Sequence, residues 1–239
     1  MNSLRQCLIL MLKYPVPGRV KTRLARHIGK ANAALLYRSL ASRILATCSE
    51  LDHPLLLSCH PDQKIQEYRS WLGDSYCYIS QQGKNLGERM QSSMEQAFEL
   101  GFTGATLLGT DIPDLSKYIL EQAMTGLDRH KAVLGPALDG GYYLLGLSQQ
   151  CFNPELFKGI PWSTSRVWEH TMKRFGSLGL EPFILPTMRD LDNLEDFKAY
   201  LLSQGVDPEA FSSWNEAIES LLSGTRRFPA DSGKPYFTS

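Results

Sequence analysis

"CLILMLKYPVPGRVKTRL", residues 7–24, joins an apolar run to a loop that is rich in proline and cations. A short, continuous apolar run predicts a strand that is buried on both faces of a sheet. Pro17 and Gly18 then suit a type II turn, with Gly18 at the position that needs a positive φ angle. The stretch therefore predicts a first strand after which the chain turns sharply at the carboxyl edge of the sheet.

Further strand-like runs recur along the chain and alternate with segments that have helical spacing. They are "PLLLSC" (residues 54–59), "YCYIS" (76–80), "ATLLG" (105–109), "AVLG" (132–135) and "GGYYLLGL" (140–147). This alternation predicts a mostly parallel sheet that is covered by helices on both faces. The last two runs are too close together for a crossover helix, so they predict an antiparallel pair. The expected fold class is α/β, with three α/β/α layers and a mixed, Rossmann-like sheet.

The composition is that of an ordinary globular protein. The 239 residues include 25 basic and 25 acidic side chains, so the formal net charge is zero. This balance favours neither nucleic acid nor an anionic membrane as a partner. The apolar stretch at residues 7–12 is too short for a membrane span or a secretion signal, so we expect a cytoplasmic protein. Five scattered cysteines without a C-x-x-C pair predict reduced thiols.

Apolar segments are spread evenly along the chain up to its last predicted helix, which indicates one domain followed by a tail. We expect residues 1–204 to form the ligand-binding domain and residues 205–239 to form a C-terminal helix and tail. In that helix Asp207 would be the N-cap, Pro208 would follow at the first position and Gly224 would lie past the end. The tail has no helical periodicity, and a homo-oligomer that forms through it is a further expectation.

The loop after the first strand is basic, with Arg19, Lys21 and Arg23 at alternate positions. Like charges this close repel one another, so the pattern indicates that an anion lies among them. The loop also leads into a helix, whose free backbone N–H groups add positive potential. It therefore predicts a phosphate site formed by Pro17, Gly18, Arg19, Lys21, Thr22 and Arg23. A basic turn that only faces solvent is the alternative.

An aspartate follows the predicted fourth strand in "LLGTDIPDL", residues 107–115. Ligands of open parallel sheets bind at the carboxyl ends of the strands, so Asp111 should face the same crevice as Lys21. Carboxylate oxygens together with phosphate oxygens form a site for Mg²⁺ or Mn²⁺. Asp111 is therefore a predicted metal ligand, and a turn or helix-capping role is the alternative.

Asp190 and Asp192 alternate in "RDLDNLED", so on an extended segment both side chains point the same way. They could complete the cation site that Asp111 begins. Asn193 and Asp196, in contrast, have the spacing of a helix-capping pair. Capping explains Asn193 but not the alternating aspartates, so we predict Asp190 and Asp192 as further metal ligands.

Paired glycines follow an aspartate in "GPALDGGYYLLGL", residues 135–147. Gly140 and Gly141 either let the backbone approach a ligand closely or form a tight hairpin turn, and the sequence does not separate these alternatives. Asp139 would bind the acceptor or act as a general base, unless it serves only the turn.

Two weaker patterns complete the candidate site. The amides of Gln81 and Gln82 could bind a nucleobase. In "PWST", Trp162 offers a stacking surface and the hydroxyls of Ser163 and Thr164 could bind an acceptor. An isolated tryptophan is more often a core residue, which is the alternative for Trp162.

Six blocks of sequence, in their order and spacing, resemble the bacterial DUF2064 family, also labelled glycosyltransferase-like or selenodomain-associated transferase 1. The blocks are "KYPVPGRVKTRLARHIG", "NLGERM", "LLGTDIPDL", "GPALDGGYYLLGL", "PWST" and "DLDNLEDF". The resemblance covers roughly residues 8–202. It implies a GT-A fold of the nucleotide-diphospho-sugar transferase superfamily, a nucleotide bound over the first strand and a divalent ion on Asp111.

The expected function is metal-dependent transfer of a glycosyl group from a nucleotide sugar to an unknown small-molecule acceptor. Lys21, Asp111 and Asp139 would be the catalytic residues, and Mg²⁺ or Mn²⁺ would neutralise the leaving diphosphate. The same residues would also serve a nucleotidyltransferase that acts on a nucleoside triphosphate and a small phosphorylated acceptor. A nucleotide-binding protein without catalysis is the remaining alternative.

Overall fold

The computed structural model of the protein describes residues 5–224, and seven strands of this part of the chain form one sheet. In chain order the strands are β1 (Gln6–Lys13), β2 (Leu55–His60), β3 (Cys77–Ser80), β4 (Gly104–Leu108), β5 (Ala132–Pro136), β6 (Tyr142–Ser148) and β7 (Phe183–Ile184). Their spatial order is β3-β2-β1-β4-β6-β5-β7. The central strand β1 runs parallel to both of its neighbours, β2 and β4. Strand β6 lies antiparallel to β4 and β5, as the short connection before it predicts.

Helices cover both faces of the sheet. They are α1 (Thr22–Ile28), α2 (Lys30–Ser49), α3 (Ile65–Leu72), α4 (Leu86–Glu99), α5 (Lys117–His130), α6 (Val167–Ser177), α7 (Leu194–Ser203) and α8 (Trp214–Gly224). One core cluster joins α2, α3 and α5 to the sheet, for example through Ile44 and Leu120. A second cluster joins α4 and α6 to the opposite face, for example through Met94 and Phe175. The three-layer α/β class with a mostly parallel, mixed sheet is therefore confirmed.

A third apolar cluster fixes the short helix α1 against the C-terminal helices. Leu24 of α1 packs in this cluster with Phe197 of α7, and both side chains are fully buried. Ile218 of α8 belongs to the same cluster. This packing sets the basic loop beside the segment that precedes α7, although the two are about 170 residues apart in sequence.

The last helix begins later than the sequence predicts. Asp207 does accept a hydrogen bond from the N–H of Glu209, but it caps only a 3₁₀ turn at Pro208–Ala210. Helix α8 starts at Trp214, where Ser213 and Glu216 supply a second set of capping contacts. A Ser-x-x-Glu spacing therefore displaces the Asp-Pro start. Residues 225–239, the predicted tail, lie outside the described residues, and the boundary at residue 204 stays a prediction.

Among the helices within residues 5–224, none is both long enough and apolar enough to cross a membrane.

The five cysteines are all free thiols, as predicted, and burial raises the pKa of Cys59 to about 12.

Candidate active site

A cavity of about 680 Å³ opens at the carboxyl ends of β1 and β4. It lies between the loop that follows β1, the start of α4, the loop before α6 and the segment that precedes α7. The predicted site residues that line it are Arg19, Lys21, Thr22, Arg23, Gln81, Asp111, Asp139, Gly141, Trp162, Ser163, Thr164, Asp190 and Asp192. Pro17, Gly18, Gln82 and Gly140 do not line it.

The turn after β1 has the form that its proline and glycine predict. The Arg19 N–H donates to the carbonyl oxygen of Val16 at 2.9 Å, and Gly18 has φ near 80°. Lys21 precedes the first residue of α1 and also has a positive φ, 45°, which is uncommon for a residue with a Cβ. The turn thus places Pro17 and Gly18 behind the cavity, where they shape the loop and the cations face inward.

Lys21 is the most enclosed charge of the site, with 2% of its side chain exposed. Its Nζ lies 2.6 Å from Asp111 Oδ1 and 3.4 Å from Asp192 Oδ1, and it donates to the carbonyl oxygen of Leu191. Arg23 approaches the other oxygen of Asp192 at 3.7 Å. The carboxylates of Asp111 and Asp192 therefore supply part of the negative charge that balances the alternating cations. Lys13 and Arg19 form no ion pair within residues 5–224, and both line the cavity.

The oxygens around Lys21 are of the kind that bind a divalent cation. Two carboxylates and one peptide carbonyl converge there, and these are hard donors. The Lys21 ammonium fills the space between them, and within the described chain no group of three or more His, Cys, Asp or Glu residues could hold a metal ion. The donor type suits Mg²⁺ or Mn²⁺, and metal binding by Asp111, Asp190 and Asp192 stays a prediction.

Asp190 and Asp139 form a separate acidic pair in the same cavity. Asp139 Oδ1 accepts a hydrogen bond from the N–H of Gly141 at 2.8 Å, which closes a tight turn. Burial raises the pKa of Asp190 to about 6, and the negative charges of Asp139 and then Asp192 add to the effect. The alternating aspartates thus have different neighbours, since Asp192 lies beside Lys21 and Asp190 beside Asp139.

Gly140, which follows Asp139, lets the backbone of the hairpin turn lie close to the backbone of Ser165. A Cβ on Gly140 would overlap the backbone carbonyl of Ser165, and the N–H of Trp168 donates to the Gly140 oxygen. The pair of glycines therefore forms a hairpin turn whose backbone also packs against the loop before α6. The tight turn that the sequence offers as one alternative is present, and close approach of this backbone to a ligand stays a prediction.

The side-chain amide of Gln81 is held by the ends of two strands. Its Nε2 donates to the carbonyl oxygens of Leu12, at 3.1 Å, and Ser58, at 2.7 Å. Both partners are acceptors, so the amide nitrogen faces β1 and β2, and only the oxygen remains for a ligand. Gln82 is exposed and does not line the cavity. Nucleobase binding by these two residues stays a prediction.

Trp162 packs across the start of α4. A Cβ on Gly87 would overlap its indole ring, and its ring meets that of Tyr142 edge to face, with 6.3 Å between the centroids. Ser163, with φ 65°, and Thr164 are exposed at the rim of the cavity. Trp162 is thus both a packing residue and part of the cavity wall.

One wall of the cavity is apolar and was not predicted from the sequence; it is formed by Met11, Leu86, Met90 and Tyr142. Leu86 is 43% exposed although it is apolar, whereas Met90 is buried. Apolar residues in strands and at helix starts carry no sequence pattern that separates wall from core. Tyr37 was also missed; its buried hydroxyl accepts from the Lys13 N–H at 2.8 Å and fixes the end of β1.

Comparison with known proteins identifies the family. Residues 44–164 match the family described as "Uncharacterized protein conserved in bacteria (DUF2064)". A "putative nucleotide-diphospho-sugar transferase" from Desulfovibrio desulfuricans G20 has a similar crystal structure, with 33% sequence identity and a TM-score of 0.82. The match covers 92% of this chain and 96% of that one.

A more distant structure shares the fold alone. The inositol-1-phosphate CTP transferase from T. maritima is 12% identical, with a TM-score of 0.54 over 95% of this chain and 99% of that one. No curated protein sequence matches the chain. The match to the family model spans half of the chain, so the protein belongs to the DUF2064 family.

Proposed function

We propose that this protein is a metal-dependent transferase that moves a glycosyl group from a nucleotide sugar to a small-molecule acceptor. The observation that carries the proposal is the cavity at the carboxyl edge of the sheet, which is lined by Lys13, Arg19, Lys21 and Arg23 and by four aspartates. Its volume of about 680 Å³ lies within the range of ligand-binding cavities. The name of the 33% identical relative supports a transferase that uses a nucleotide sugar.

The cations of the cavity would bind the diphosphate of the donor. Arg19 and Lys13 form no ion pair among the described residues, so their charges are available to a ligand. Arg23 is 67% exposed and lies 3.7 Å from Asp192, a distance at which exchange for a phosphate costs little. These side chains would hold the phosphates in place before the reaction and neutralise the charge that develops on them.

In the proposed reaction an acceptor hydroxyl oxygen attacks the anomeric carbon of the sugar. The bond between that carbon and the phosphate oxygen breaks, and the nucleoside diphosphate leaves with the electron pair. Lys21 and Arg23 would stabilise the departing diphosphate. A divalent ion held by Asp111 and Asp192 would supply Lewis-acid stabilisation of the same oxygens.

The acceptor proton would pass to the Asp139–Asp190 pair. Asp190, with a pKa of about 6, is mostly ionised at neutral pH and yet basic enough to accept a proton as the new bond forms. Asp139 lies beside it on the hairpin turn and would orient the acceptor hydroxyl. The acceptor itself would lie against Trp162 and Tyr142, with Ser163 and Thr164 at the rim as hydrogen-bonding partners.

Nucleotidyl transfer is the second candidate, because the cations of the cavity would bind the phosphates of a triphosphate as well as those of a diphosphate. In that reaction a phosphate oxygen of the acceptor attacks the α-phosphorus of a nucleoside triphosphate. The bond to the β-phosphate oxygen breaks, and pyrophosphate leaves. The two reactions differ in their released product, and this makes them easy to separate.

The test is to incubate the purified protein with panels of nucleotide sugars and nucleoside triphosphates, with Mn²⁺ or EDTA. Released nucleoside diphosphate supports glycosyl transfer, and released pyrophosphate overturns it in favour of nucleotidyl transfer. Thermal stabilisation by nucleotides without metal dependence or turnover overturns both and supports a binding protein. Arg19→Ala should weaken binding, whereas Arg26→Ala, an exposed cation of α1 outside the cavity, is the matched control. The cytoplasmic location, the lack of a nucleic-acid partner and the homo-oligomer stay predictions.

A further inference from the structure

The ammonium of Lys21 occupies a position that resembles a metal site. Three oxygens surround it, namely Asp111 Oδ1 at 2.6 Å, Asp192 Oδ1 at 3.4 Å and the carbonyl oxygen of Leu191. We call these three atoms the oxygen cage. Carboxylate and carbonyl oxygens are the donors that Mg²⁺, Mn²⁺ and Ca²⁺ bind, so the lysine stands where a divalent cation would stand.

The oxygen cage is held together without the help of Lys21. The N–H of Leu191 donates to the backbone oxygen of Asp111 at 2.8 Å, which joins the two segments directly. Asp196 caps α7 by accepting from the N–H groups of Asp192 and Asn193, at 3.2 and 3.3 Å. The cage oxygens should therefore keep their places when the lysine side chain is replaced.

A divalent cation and the Lys21 ammonium exclude each other from the oxygen cage. The side chain of Lys21 is 2% exposed, so no water layer separates it from the cage oxygens. A second cation within the same few ångströms would meet strong repulsion, because little solvent screens the two charges. A lysine is a compact charge on a flexible stem, however, and it can turn toward another anion.

We propose that Lys21 and a divalent cation compete for the oxygen cage, so that the free protein binds the cation weakly. Phosphates in the cavity draw the ammonium away and so open the cage. The competition depends only on the geometry of Lys21, and the opening by phosphates rests on the proposed nucleotide-binding function. Metal and nucleotide binding are then positively coupled, since each is weaker without the other.

The competition is tested by titrating the full-length protein with Mn²⁺ alone and following free Mn²⁺ by electron paramagnetic resonance. Lys21→Met should bind one Mn²⁺ roughly tenfold or more tightly than the wild type, a size typical of coupled sites. Lys173→Met removes an exposed lysine with the same 2.6 Å contact to a carboxylate and should leave Mn²⁺ binding unchanged. Asp192→Asn, added to Lys21→Met, should abolish the gain.

Equal Mn²⁺ affinity of the wild type and Lys21→Met would overturn the competition. Lys21→Gln is a second neutral variant in case the methionine variant does not fold, and Lys21→Arg, which keeps the charge, should bind Mn²⁺ as weakly as the wild type. Circular dichroism before each titration confirms that the variant is folded.

The coupling is tested by repeating the titration with saturating nucleoside diphosphate, offered as ADP, CDP, GDP and UDP. Binding of Mn²⁺ to the wild type, corrected for the metal held by free nucleotide, should rise by roughly tenfold. The rise should be much smaller in Lys21→Met, because its oxygen cage is already open. An equal rise in both proteins would overturn the coupling. If no nucleotide binds either protein, the proposed function fails, while the contrast in Mn²⁺ affinity still decides the competition.

Discussion

Lys21 and Lys173 each place Nζ 2.6 Å from a carboxylate oxygen, yet the two ammonium groups differ in how far they are exposed. The Lys21 side chain is 2% exposed and contacts Asp111, whereas the Lys173 side chain is 68% exposed and contacts Glu169. At equal distance the attraction between opposite charges depends on how much water surrounds them. The carboxylates are similarly exposed, 48% for Asp111 and 51% for Glu169, so the enclosed ammonium of Lys21 is what should make its pair the stronger one.

The two pairs also differ in what they connect. Lys173 and Glu169 lie one turn apart on α6, so their contact reinforces a helix that is already formed. Lys21 joins the start of α1 to the end of β4 and to the segment before α7, three parts of the chain that are distant in sequence. A buried charge that ties three segments together at a cavity is typical of a functional site, and the exposed pair is typical of a helix surface.

The largest expected effect is the loss of stability when the carboxylate of each pair is removed. Asp111→Ala leaves the enclosed ammonium with Asp192 and one carbonyl, and we expect unfolding free energy to fall by about 2 kcal/mol, less than for a lysine left with no acidic partner. Urea unfolding curves measure the loss. Glu169→Ala is the matched control and should leave the curve almost unchanged. Comparable losses for both variants would show that burial does not distinguish the pairs.

The second effect concerns Asp190, a carboxylate of the same cavity that has no lysine within ion-pair distance among the described residues. Its pKa is raised from 3.8 to about 6 in the folded protein, so the folded state keeps a proton that the unfolded state has lost between these values. Stability from this group is therefore present below about pH 4 and is lost as the pH rises toward 6.

Asp190→Asn should remove this dependence. Relative to the wild type, the variant should gain stability between pH 4 and pH 7, on the order of 1 kcal/mol, since partial exposure of the carboxylate screens its interactions. Thermal or urea unfolding across that pH range gives the difference. Parallel curves for the two proteins would mean that Asp190 titrates normally.

Local sequence patterns predicted the elements that depend on near neighbours. The type II turn at Pro17 and Gly18 follows from the conformations those residues favour, and Asn193 caps α7 with Asp196 as their spacing indicates. The start of α8 was predicted wrongly because two capping patterns lie within seven residues, and the second, at Ser213, wins. Pattern alone does not rank competing caps.

Contacts between segments that are distant in the chain could not be predicted from the sequence. The crevice that Lys21 and Asp111 should share follows from the rule for strand ends, but the enclosure of the ammonium depends on how α7 packs against α1. The hydrogen bonds that the Gln81 amide donates to the ends of β1 and β2 depend on the register of these two strands. These features arise only when the sheet is assembled, so no window of sequence contains them.

The smallest expected effect is the salt dependence of stability, which should differ between the exposed Lys173 and the enclosed Lys21. Lys173→Met should lower the unfolding midpoint slightly at low ionic strength and not at all near 1 M salt, where the screening length is about 3 Å. The coupling between Lys21 and Asp111, measured with both single variants and the double variant, should change less over the same range, because the Lys21 ammonium is 2% exposed even though Asp111 is 48% exposed. Thermal unfolding in KCl at several concentrations gives both quantities. If the Lys21–Asp111 coupling fell with salt as the Lys173 effect does, the ammonium would be open to solvent, and the argument that it excludes a divalent cation from the oxygen cage would lose its basis.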